Sequence, residues 1–516
     1  MKLDQKSRFN TLQGQIPFKI LALAMGLFVL EATFVLNASL LWLLGQANAD
    51  DFYYYLVLAR NSAAGLGPTF DGFHLTNGFH PLYLFLTTIL ATISGGSPTF
   101  LIKASMILLL LFHNATGLVI AAGFSARQDM GMLAGVLWLV NPWPLAITLH
   151  GVEAPIATFL WAIIIFTLLA YRRNKEGISQ AITLGCLIGL AIWGRTDSLL
   201  LLGAILLTQT GRAWRDLDQF WPRMLWLVLM SGVAFMVTLP WWWWNWTHFG
   251  MLIQVSGKAI FLITHGFAWL DPVFMADKIT RAGLGYGSRL LIYTAVPLFL
   301  ALFAWRVYRP DWGRLGATLK AVLFELDFVW LAGLILILWY PGWQWNVQNW
   351  YLLSSILIAT IGVMWFYQKL TADQAPVKLG PALGLVIFAS LLFLGATFMT
   401  IGFGFPRQTR GYHIARWLNQ HTEANAVVGA WNSGVIGYFA DRPVINLDGV
   451  VNNEVYRYKV THQADGVVGL MGYIRANEID YLTDYENLFI GNPQALGVEL
   501  VYKSMEHGFY IYRVRP

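Results

Sequence analysis

Long apolar runs follow one another over the first four fifths of the chain and are separated by short polar segments. A helix needs about 20 apolar residues to cross the hydrocarbon layer, and most of these runs are that long. They predict an all-α polytopic membrane protein with about eleven transmembrane helices. The predicted spans are residues 18–44, 99–123, 130–148, 154–171, 178–194, 198–211, 223–246, 286–305, 322–340, 350–368 and 380–403.

The apolar segment Pro81–Ser94 decides the direction of the crossings. It has about 14 residues, which is short for a span. If it crossed, the cluster Arg172–Lys175 would lie outside, against the preference of Lys and Arg for cytoplasmic loops. If it lies at the interface, the later basic clusters share the side of the basic N-terminus. We therefore expect a surface helix at Pro81–Ser94, a cytoplasmic N-terminus and an outer C-terminal tail, in the plasma or inner membrane.

Composition narrows the class further. Hydrophobic residues make up 57% of the chain and charged residues 12%, against about 25% charged in soluble domains. The net charge is +6, but the cations stand in short clusters between apolar runs, which is typical of cytoplasmic loops and not of a nucleic-acid surface.

Cys186 is the only cysteine, so no disulfide framework is expected. Ala47-Asn48-Ala49 resembles a signal cleavage site, but the apolar run before it is longer than a signal core, so we expect a retained first span.

The polar clusters between the spans all fall on the outer face in this topology. The outer loops are residues 45–98, 149–153, 194–197, 247–285 and 341–349. Folding alone does not require such clusters to share one face. Their placement predicts a functional site at the outer boundary of the membrane.

Two adjacent carboxylates, Asp50 and Asp51, follow the first span directly. Burial and a neighbouring like charge both raise the pKa of a carboxyl group, and one of the pair can then act as a general base near neutral pH. The structural alternative is that one of them caps the helix that the periodicity predicts over Phe52–Ala64.

His74 and His80 lie further along the same loop. A zinc site needs further ligands at suitable spacing, and this loop contains no cysteine. The sequence therefore predicts no dedicated metal site and no certain cofactor. A divalent cation at the acidic pair stays open.

The order of residues in this loop resembles the first outer loop of the GT-C superfamily of membrane glycosyltransferases. Similar proteins are bacterial relatives of the protein O-mannosyltransferases, the lipid A aminoarabinose transferase and the mycobacterial arabinofuranosyltransferases. The resemblance implies two juxtamembrane helices after the acidic pair and a sugar donor carried on polyprenyl phosphate. The matching residues are Asp50-Asp51, Ala59-Arg60-Asn61, Gly65-Leu66-Gly67 and Thr76-Asn77-Gly78-Phe79-His80-Pro81-Leu82.

Shorter motifs match the same superfamily in the same order. Gly151-Val152-Glu153 is similar to the Gly-x-Glu turn of its second outer loop, and Arg195-Thr196-Asp197 to its Arg-Pro-Glu/Asp signature, with threonine in place of proline. Phe249-Gly250 followed by Lys258 resembles the segment whose lysine lies near the lipid phosphate. At Gln348–Tyr351 the chain departs from the family, because the usual arginine is missing.

Roles for single residues follow from this resemblance. It implies that Asp50 is the general base, that Asp51 orients the acceptor or binds a cation, and that Lys258 binds the donor phosphate. Residues implied in substrate binding, with Arg60 or Arg195 assisting at the phosphate, are Arg60, Asn77, His80, Glu153, Arg195 and Asp197.

The residues alone leave structural alternatives open. Glu153 can cap the helix that begins at Ala154. Arg195 and Asp197 can form an ion pair at the end of a span. Lys258 can extend from the membrane interface towards water.

The hydropathy falls after Phe403, which predicts a membrane domain at residues 1–404 and a small extracytoplasmic α/β domain at 405–516. Side chains at the ends of its strands, Asn432, Asn446 and Asp448, are candidate ligand contacts or turn formers. The predicted strands are residues 426–431, 443–447, 479–482, 498–502 and 509–514, and the predicted helices are 435–439 and 466–477.

Three functions agree with these patterns. The first is an inverting glycosyltransferase that moves a monosaccharide from a polyprenyl-phosphate donor, embedded among membrane lipids, to a glycan, lipid or protein outside. The second is a transporter or flippase for a lipid-linked sugar, which predicts inverted repeats or interrupted helices. The third is a scaffold or receptor whose tail binds a partner. The acids on one face favour the transferase.

Overall fold

A computed structural model describes residues 18–172, 177–265, 272–308, 312–343, 347–372, 379–400, 405–464, 466–485, 488 and 493–515. Some predictions lie outside these residues, namely those that concern the basic N-terminus, most of the Arg172–Lys175 cluster and Trp345. The described part of the membrane portion is almost entirely helical. Its helices are α1 (Phe18–Asn37), α2 (Leu40–Trp42), α3 (Asp50–Ala63), α4 (Pro81–Ile93), α5 (Pro98–Gly123), α6 (Gln128–Leu139), α7 (Pro142–Leu149), α8 (Ala154–Tyr171), α9 (Ile178–Gly194), α10 (Ser198–Trp214), α11 (Phe220–Phe249), α12 (Val255–His265), α13 (Pro272–Tyr293), α14 (Ala295–Tyr308), α15 (Trp312–Glu325), α16 (Asp327–Trp343), α17 (Leu353–Leu370) and α18 (Leu379–Thr400).

Each predicted span coincides with one of these helices or with a bent pair of them, and the prediction of a polytopic membrane protein is confirmed. Among the described residues, five helices are long and apolar enough to cross a membrane, and up to eight spans result if each bent pair is counted as one. The remaining predicted spans correspond to shorter helices. For example, α9 and α10 have 17 residues each.

Four predicted spans are not single straight helices. The 18–44 span is α1 followed, after a break at residues 38 and 39, by α2 and a π-helical turn at Leu43–Ala47. The 130–148 span is α6 and α7 with a 45° bend, because Pro142 cannot donate a backbone hydrogen bond and the Asn141 side chain caps the new helix. The 286–305 span is part of α13 and α14, bent by 57° just before Pro297. The 322–340 span is α15 and α16, bent by 77°, with the Asp327 carboxylate accepting from the Phe328 amide at the break.

The first outer loop contains the two expected juxtamembrane helices, α3 and α4. Pro81 stands in the first turn of α4, where its missing N–H is not needed. The 13 residues of α4 pack on α3 and place Tyr83 in the core, with its hydroxyl donating to the Gly151 carbonyl at 2.7 Å. The surface placement of Pro81–Ser94 thus agrees with its short length.

The described C-terminal part is an α/β unit built on a five-stranded sheet in the order β2-β1-β3-β5-β4. Strands β1, β2 and β3 are parallel to one another, whereas β3, β5 and β4 are antiparallel. The sequence patterns missed α19 and α21, which contain few apolar residues. The elements are α19 (Pro406–His421), β1 (Val428–Ala430), α20 (Gly434–Phe439), β2 (Val444–Asn446), α21 (Asn453–His462), α22 (Gly466–Ala476), β3 (Tyr481–Asp484), β4 (Val498–Lys503) and β5 (Tyr510–Val514).

This α/β unit packs directly on the first outer loop. Helix α20 lies along α3, and α19 contacts the end of the first span, where the Phe405 amide donates to the Gly45 carbonyl at 2.8 Å. The buried residues of both parts form one continuous core, which includes Tyr53 of α3 and Val435 of α20. The carboxyl ends of the parallel strands consequently face α3.

Candidate active site

A cavity of about 300 Å³ lies between the first outer loop, the α9–α10 connection, the start of α12, the end of α16 and the C-terminal domain. These segments are far apart in sequence, and the fold brings their polar ends to one place. The side chains and backbone that line the cavity belong to Asp51, Tyr54, Tyr55, Leu58, Gly78, Phe79, His80, Glu153, Arg195, Thr196, Asp197, Leu199, Leu200, Ile253, Gln254, Ser256, Gly257, Ile260, Trp339, Tyr340, Trp350, Tyr351 and Val450.

Asp51 is the carboxylate of the acidic pair that faces this cavity. Burial, followed by the negative charges of Asp50, Glu153 and Asp448, raises the pKa of Asp51 to about 8. Among the described residues, no side chain or amide of another residue donates a hydrogen bond to its carboxylate. A carboxyl group in this state can accept a proton from a bound hydroxyl.

Asp50, which the family resemblance implies as the general base, has a different environment from Asp51. Its carboxylate accepts hydrogen bonds from the amides of Gly434 and Val435 at 2.9 and 3.0 Å and from the Tyr485 hydroxyl at 3.1 Å. The Tyr54 hydroxyl bonds it as well. Asp50 does not line the cavity, and burial raises the pKa of its carboxyl against the effect of these bonds. The oxygens of the Asp50 carboxylate thus already accept hydrogen bonds from groups of the protein itself.

Arg195 is the centre of a buried ionic network on the opposite wall. Its guanidinium donates to Glu153 at 2.5 Å and to Asp197 at 3.0 Å, and the Tyr340 hydroxyl bonds Asp197. Burial alone would raise the pKa of Asp197, but the adjacent Arg195 charge outweighs it and lowers that pKa. The motif around Glu153 and the motif around Arg195, which are separate in the sequence, therefore form one structural unit. The guanidinium carbon of Arg195 lies 5.2 Å from the centre of the Tyr351 ring.

His80 and Tyr55 connect this network to the first outer loop. The His80 Nε2 atom lies 3.6 Å from the Glu153 carboxylate, and the His80 amide donates to the Tyr55 hydroxyl at 3.1 Å. The Tyr55 hydroxyl also bonds Glu153. Burial lowers the pKa of His80, so the imidazole is neutral at pH 7. It can accept or donate a hydrogen bond to a ligand in the cavity.

Lys258 stands on the first turn of α12, immediately after the lining residue Gly257. It is half-buried and does not itself line the cavity. In the described part of the chain its ammonium makes no hydrogen bond or ion pair. The nearby Gln254 does line the cavity, and its side-chain carbonyl accepts from the Thr196 hydroxyl at 2.9 Å.

Two residues implied in substrate binding lie outside the cavity, and their side chains hold the fold together. Arg60 donates to the carbonyls of Tyr438 and Gly437 at 3.1 and 3.3 Å. Asn77 is fully buried, donates to Asn245 at 3.0 Å and accepts from Asn453 at 2.8 Å. Their contacts are to the protein, which does not agree with direct substrate contact.

One part of the cavity wall is apolar and partly open. Leu199, Ile253 and Trp339 line the cavity, and 36, 46 and 40% of their surfaces are exposed. Leu199 stands in the first turn of α10, Trp339 near the end of α16, and Ile253 in the segment between α11 and α12.

Several residues that line the cavity were not predicted from the sequence as site residues. Tyr340 and Tyr351 stack on each other at 4.8 Å, and Trp350 stands beside them. The departure from the family motif at this place singled out Trp350 and Tyr351 as a segment but gave them no role. Val450 comes from the C-terminal domain, and only the packing of that domain brings it here.

The strand-end residues of the C-terminal domain hold turns. Asn432 donates to Asp484 at 3.0 Å, Asn446 accepts from the Gly449 amide at 2.9 Å, and Asp448 accepts from the Val450 amide at 2.7 Å. Burial raises the pKa of Asp448 to about 6. Among the described residues no group of three His, Cys, Asp or Glu side chains is placed to hold a metal ion.

Solved structures with the same architecture are membrane transferases. The aminoarabinose transferase ArnT from Cupriavidus metallidurans, bound to undecaprenyl phosphate, aligns with 96% of this chain and 97% of its own length, with a TM-score of 0.60 at 12% identity. A second such structure is the archaeal oligosaccharyltransferase AglB from Archaeoglobus fulgidus, in complex with an inhibitory peptide and a dolichol-phosphate. It aligns with 89% of this chain and 69% of its own length, with a TM-score of 0.53 at 13% identity.

At the level of sequence, residues 405–512 match a family described as a domain of unknown function (DUF8728). No curated protein matches the sequence. The structural likeness extends over nearly the whole chain, from the first span to the C-terminal sheet, and confirms the fold that the loop motifs implied. This membrane protein has the GT-C fold.

Proposed function

We propose that this protein is an inverting glycosyltransferase that moves a monosaccharide from a polyprenyl-phosphate donor to a hydroxyl group of an extracytoplasmic glycan, lipid or protein. The observation that carries the proposal is the cavity itself. It combines a half-buried carboxylate, Asp51, with an ionic network around Arg195 and an apolar, partly open wall. Neither a passive transporter nor a receptor needs a carboxylate of raised pKa at this place.

The reaction needs one general base, and Asp51 is the residue we assign to it. The carboxylate takes the proton of the acceptor hydroxyl while the hydroxyl oxygen attacks the anomeric carbon. The bond between that carbon and the phosphate oxygen breaks, and the lipid phosphate leaves with the bonding electrons. A single displacement of this kind inverts the anomeric configuration. General-base catalysis is typically worth about 10²–10⁴-fold in rate.

The donor is proposed to enter through the apolar side of the cavity, past Leu199, Ile253 and Trp339. Its phosphate then comes to the first turn of α12, where backbone amides and the helix dipole favour an anion. Lys258 stands on this turn and supplies the positive charge. Because Arg195 is already bonded to two carboxylates, we do not assign it to the phosphate.

Glu153, Arg195 and Asp197 are proposed to position the sugar. Their network is rigid since each charge is paired and Tyr340 and Tyr55 add hydrogen bonds. Carboxylate oxygens that remain on the cavity side can accept from sugar hydroxyls. His80, neutral at pH 7, can bond a further hydroxyl.

Two solved proteins of the same fold support the donor class. The ArnT structure contains bound undecaprenyl phosphate, and the AglB structure contains an inhibitory peptide and a dolichol-phosphate. Both ligands carry a phosphate on a long isoprenoid. A ligand of the same chemistry fits a cavity that is polar at the membrane boundary and apolar at the bilayer.

The test begins with the lipid that co-purifies with the protein. Mass spectrometry of the extracted lipid is expected to find a polyprenyl phosphate or its glycosyl ester, and Lys258→Gln is expected to reduce its amount. The sugar ester is then supplied in liposomes, and transfer to an acceptor is followed together with release of polyprenyl phosphate. Asp51→Asn is expected to lower the rate by about 10²–10⁴-fold.

The matched control is Asp277→Asn, which changes an exposed carboxylate that pairs only with Arg281 among the described residues. This variant should transfer at the wild-type rate. If the lipid-linked sugar crosses the bilayer intact and no bond to phosphate is broken, the protein is a flippase and the proposal is wrong. Wild-type transfer by Asp51→Asn would remove Asp51 as the base.

A further inference from the structure

Helix α20 of the C-terminal domain is held at both of its ends by side chains of α3. At its start, the amides of Gly434 and Val435 donate to the two oxygens of the Asp50 carboxylate at 2.9 and 3.0 Å. At its end, the carbonyls of Gly437 and Tyr438 accept from the Arg60 guanidinium. The negative charge of Asp50 thus lies at the N-terminus of α20, where amides are free, and the positive charge of Arg60 lies at its C-terminus, where carbonyls are free. Both charges are complementary to the helix dipole.

The position that Asp50 occupies has a general meaning in open α/β sheets. Strands β2, β1 and β3 are parallel, and such sheets bind ligands at the carboxyl ends of their strands, where the order of strands reverses. Asp50 lies at that edge, between the start of α20, which follows β1, and Tyr485, which follows β3. The Asp50 carboxylate of the membrane portion therefore occupies the position at which other open α/β sheets bind a ligand.

The contact between the two domains is too close for additional side-chain atoms. A Cβ atom at Gly434 would lie 2.3 Å from the Asp50 carbonyl oxygen, and a Cβ atom at Gly78 would lie 2.1 Å from the Val450 carbonyl oxygen. Backbone therefore meets backbone at two separate places. The domain therefore cannot move closer to the membrane portion at these places without a clash between backbones.

A third contact fixes the loop that reaches the cavity. The Asn453 side chain accepts from the Thr76 hydroxyl at 2.9 Å and donates to Asn77 at 2.8 Å. The segment just before it contains Val450, which lines the cavity, and Asp448, whose charge acts on Asp51. The docked domain thus contributes Val450 to the lining of the cavity and the charge of Asp448 to the surroundings of the proposed base.

We propose that Asp50 and Arg60 are positioning residues that dock the C-terminal domain on α3, and that the docked domain completes the acceptor side of the active site. The inference deepens the proposed function and rests on it for the role of Asp51. It assigns to the first acid of the pair a structural task that is separate from the chemistry of the second.

The single native cysteine makes a direct test of docking practicable. In a Cys186→Ala background, cysteines replace Thr76 and Asn453, whose side chains touch across the interface. The full-length protein is treated with a mild oxidant, and the disulfide is followed by gel mobility. We expect rapid cross-linking in this protein, and about tenfold slower cross-linking when Asp50→Ala is added, because the two charge-assisted bonds to the amides are lost.

A second pair of variants guards against misfolding of Asp50→Ala. Arg60→Gln removes the cap at the other end of α20, and Gly434→Ala introduces the close contact with the Asp50 carbonyl. Both are expected to slow cross-linking. Gly203→Ala is the control, since a Cβ atom there meets nothing within 4 Å, and it should cross-link at the parent rate. Equal rates in all the variants would overturn the inference.

Activity then separates docking from catalysis. The Asp50→Ala protein with both cysteines is expected to transfer poorly when reduced, mainly through a higher KM for the acceptor, and to regain transfer once the disulfide has formed. The Asp51→Asn protein with the same disulfide should stay inactive. If the disulfide fails to restore transfer in Asp50→Ala, Asp50 acts in the chemistry and the inference is wrong.

The cross-linking rates do not depend on the proposed reaction. If the wild-type protein transfers no sugar but Asp50→Ala still slows cross-linking, the proposed function fails and the docking role of Asp50 stands. If transfer occurs and cross-linking is unaffected, the reverse holds.

Discussion

At the scale of the residue, two adjacent carboxylates have different surroundings because their side chains leave the helix in different directions. Asp50 and Asp51 are the first two residues of α3, and consecutive side chains of an α-helix point about 100° apart. One of them reaches the C-terminal domain and the other the cavity. Sequence adjacency thus conceals a difference in environment that decides which group can exchange a proton with a substrate.

The pH dependence of transfer follows from the environment of Asp51. A base works only as the carboxylate, and the pKa of Asp51 is raised to about 8. We therefore expect kcat/KM to rise about tenfold per pH unit below that value and to level off above it. Asp448→Asn removes one of the charges that raise the pKa, so its profile should move to lower pH. A rate that is constant between about pH 6 and 9 would contradict this assignment.

Arg195 allows a prediction about stability. It is buried between Glu153 and Asp197, and removal of one member of a buried ion pair typically costs about 3–5 kcal/mol. Arg195→Gln is expected to lower the free energy of unfolding by that order, measured by thermal denaturation in detergent. Adding Glu153→Gln should recover part of the loss, because one unpaired charge disappears. Recovery of stability without recovery of transfer would agree with a role in positioning sugar.

At the scale of the element, the segment between α3 and α4 connects three helices that are distant in sequence. Asn77 alone bonds Asn245 of α11, the Val255 amide at the start of α12 and Asn453 of α21. A buried amide with all of these partners fixes the start of α12, where Lys258 and Gly257 stand. The position of the proposed phosphate site therefore depends on the first outer loop.

Asn77→Ala tests this dependence. It removes the bonds of the Asn77 side chain to the Asn245 oxygen and to the Asn453 side-chain nitrogen, and a buried polar group left unsatisfied typically costs about 1–3 kcal/mol. We expect a lower melting temperature and weaker retention of the co-purified polyprenyl lipid. Asn37→Ala is the control, since Asn37 is exposed and bonds only the Thr33 carbonyl in the described structure. A normal lipid content in Asn77→Ala would show that α12 holds its position without this residue.

At the scale of the whole molecule, the cavity and the basic ends of the helices lie on opposite sides. Helix α10 begins beside Asp197 at the cavity and ends at Trp214, and 17 residues rise about 25 Å. Arg212 and Arg223 follow at that far end. From the positive-inside tendency we therefore expect the cavity and the C-terminal domain to lie outside the cytoplasm.

Cysteine labelling tests this orientation in cells. In the Cys186→Ala background, a cysteine in place of the exposed Asp441 reports on the C-terminal domain, and one in place of the exposed Asp218 reports on the opposite end of α10. A membrane-impermeant maleimide should label the first in intact cells and the second only after permeabilisation. The opposite pattern would reverse the proposed topology.

Much of the fold could be predicted from the sequence because the signals are local. The length of an apolar run fixes whether it can cross a bilayer, and the short run Pro81–Ser94 forms the 13-residue helix α4. Prolines at 142 and 297 mark two of the bends, although hydropathy remains high across both. The helices α19 and α21 were missed since they contain few apolar residues.

The site could be predicted only in part. The motifs around Glu153 and Asp197, together with His80 and Asp51, do line one cavity. Asp50, Arg60 and Asn77 stand in equally distinctive motifs, yet their side chains bond the protein. A motif indicates that a particular residue type is required at a position. It does not indicate whether that residue contacts a substrate or another part of the protein.

The sequence by itself determined that this protein crosses the membrane many times and carries its unusual polar residues at one boundary, since hydrophobic length and charge clusters act within a single segment. Tertiary structure decided what those residues face. Helix α3 directs Asp50 to a domain almost 400 positions away, where it is bonded to Gly434. Asp51 is therefore the member of the acidic pair that lines the cavity. Contacts of that kind depend on packing between distant segments, which no local pattern records.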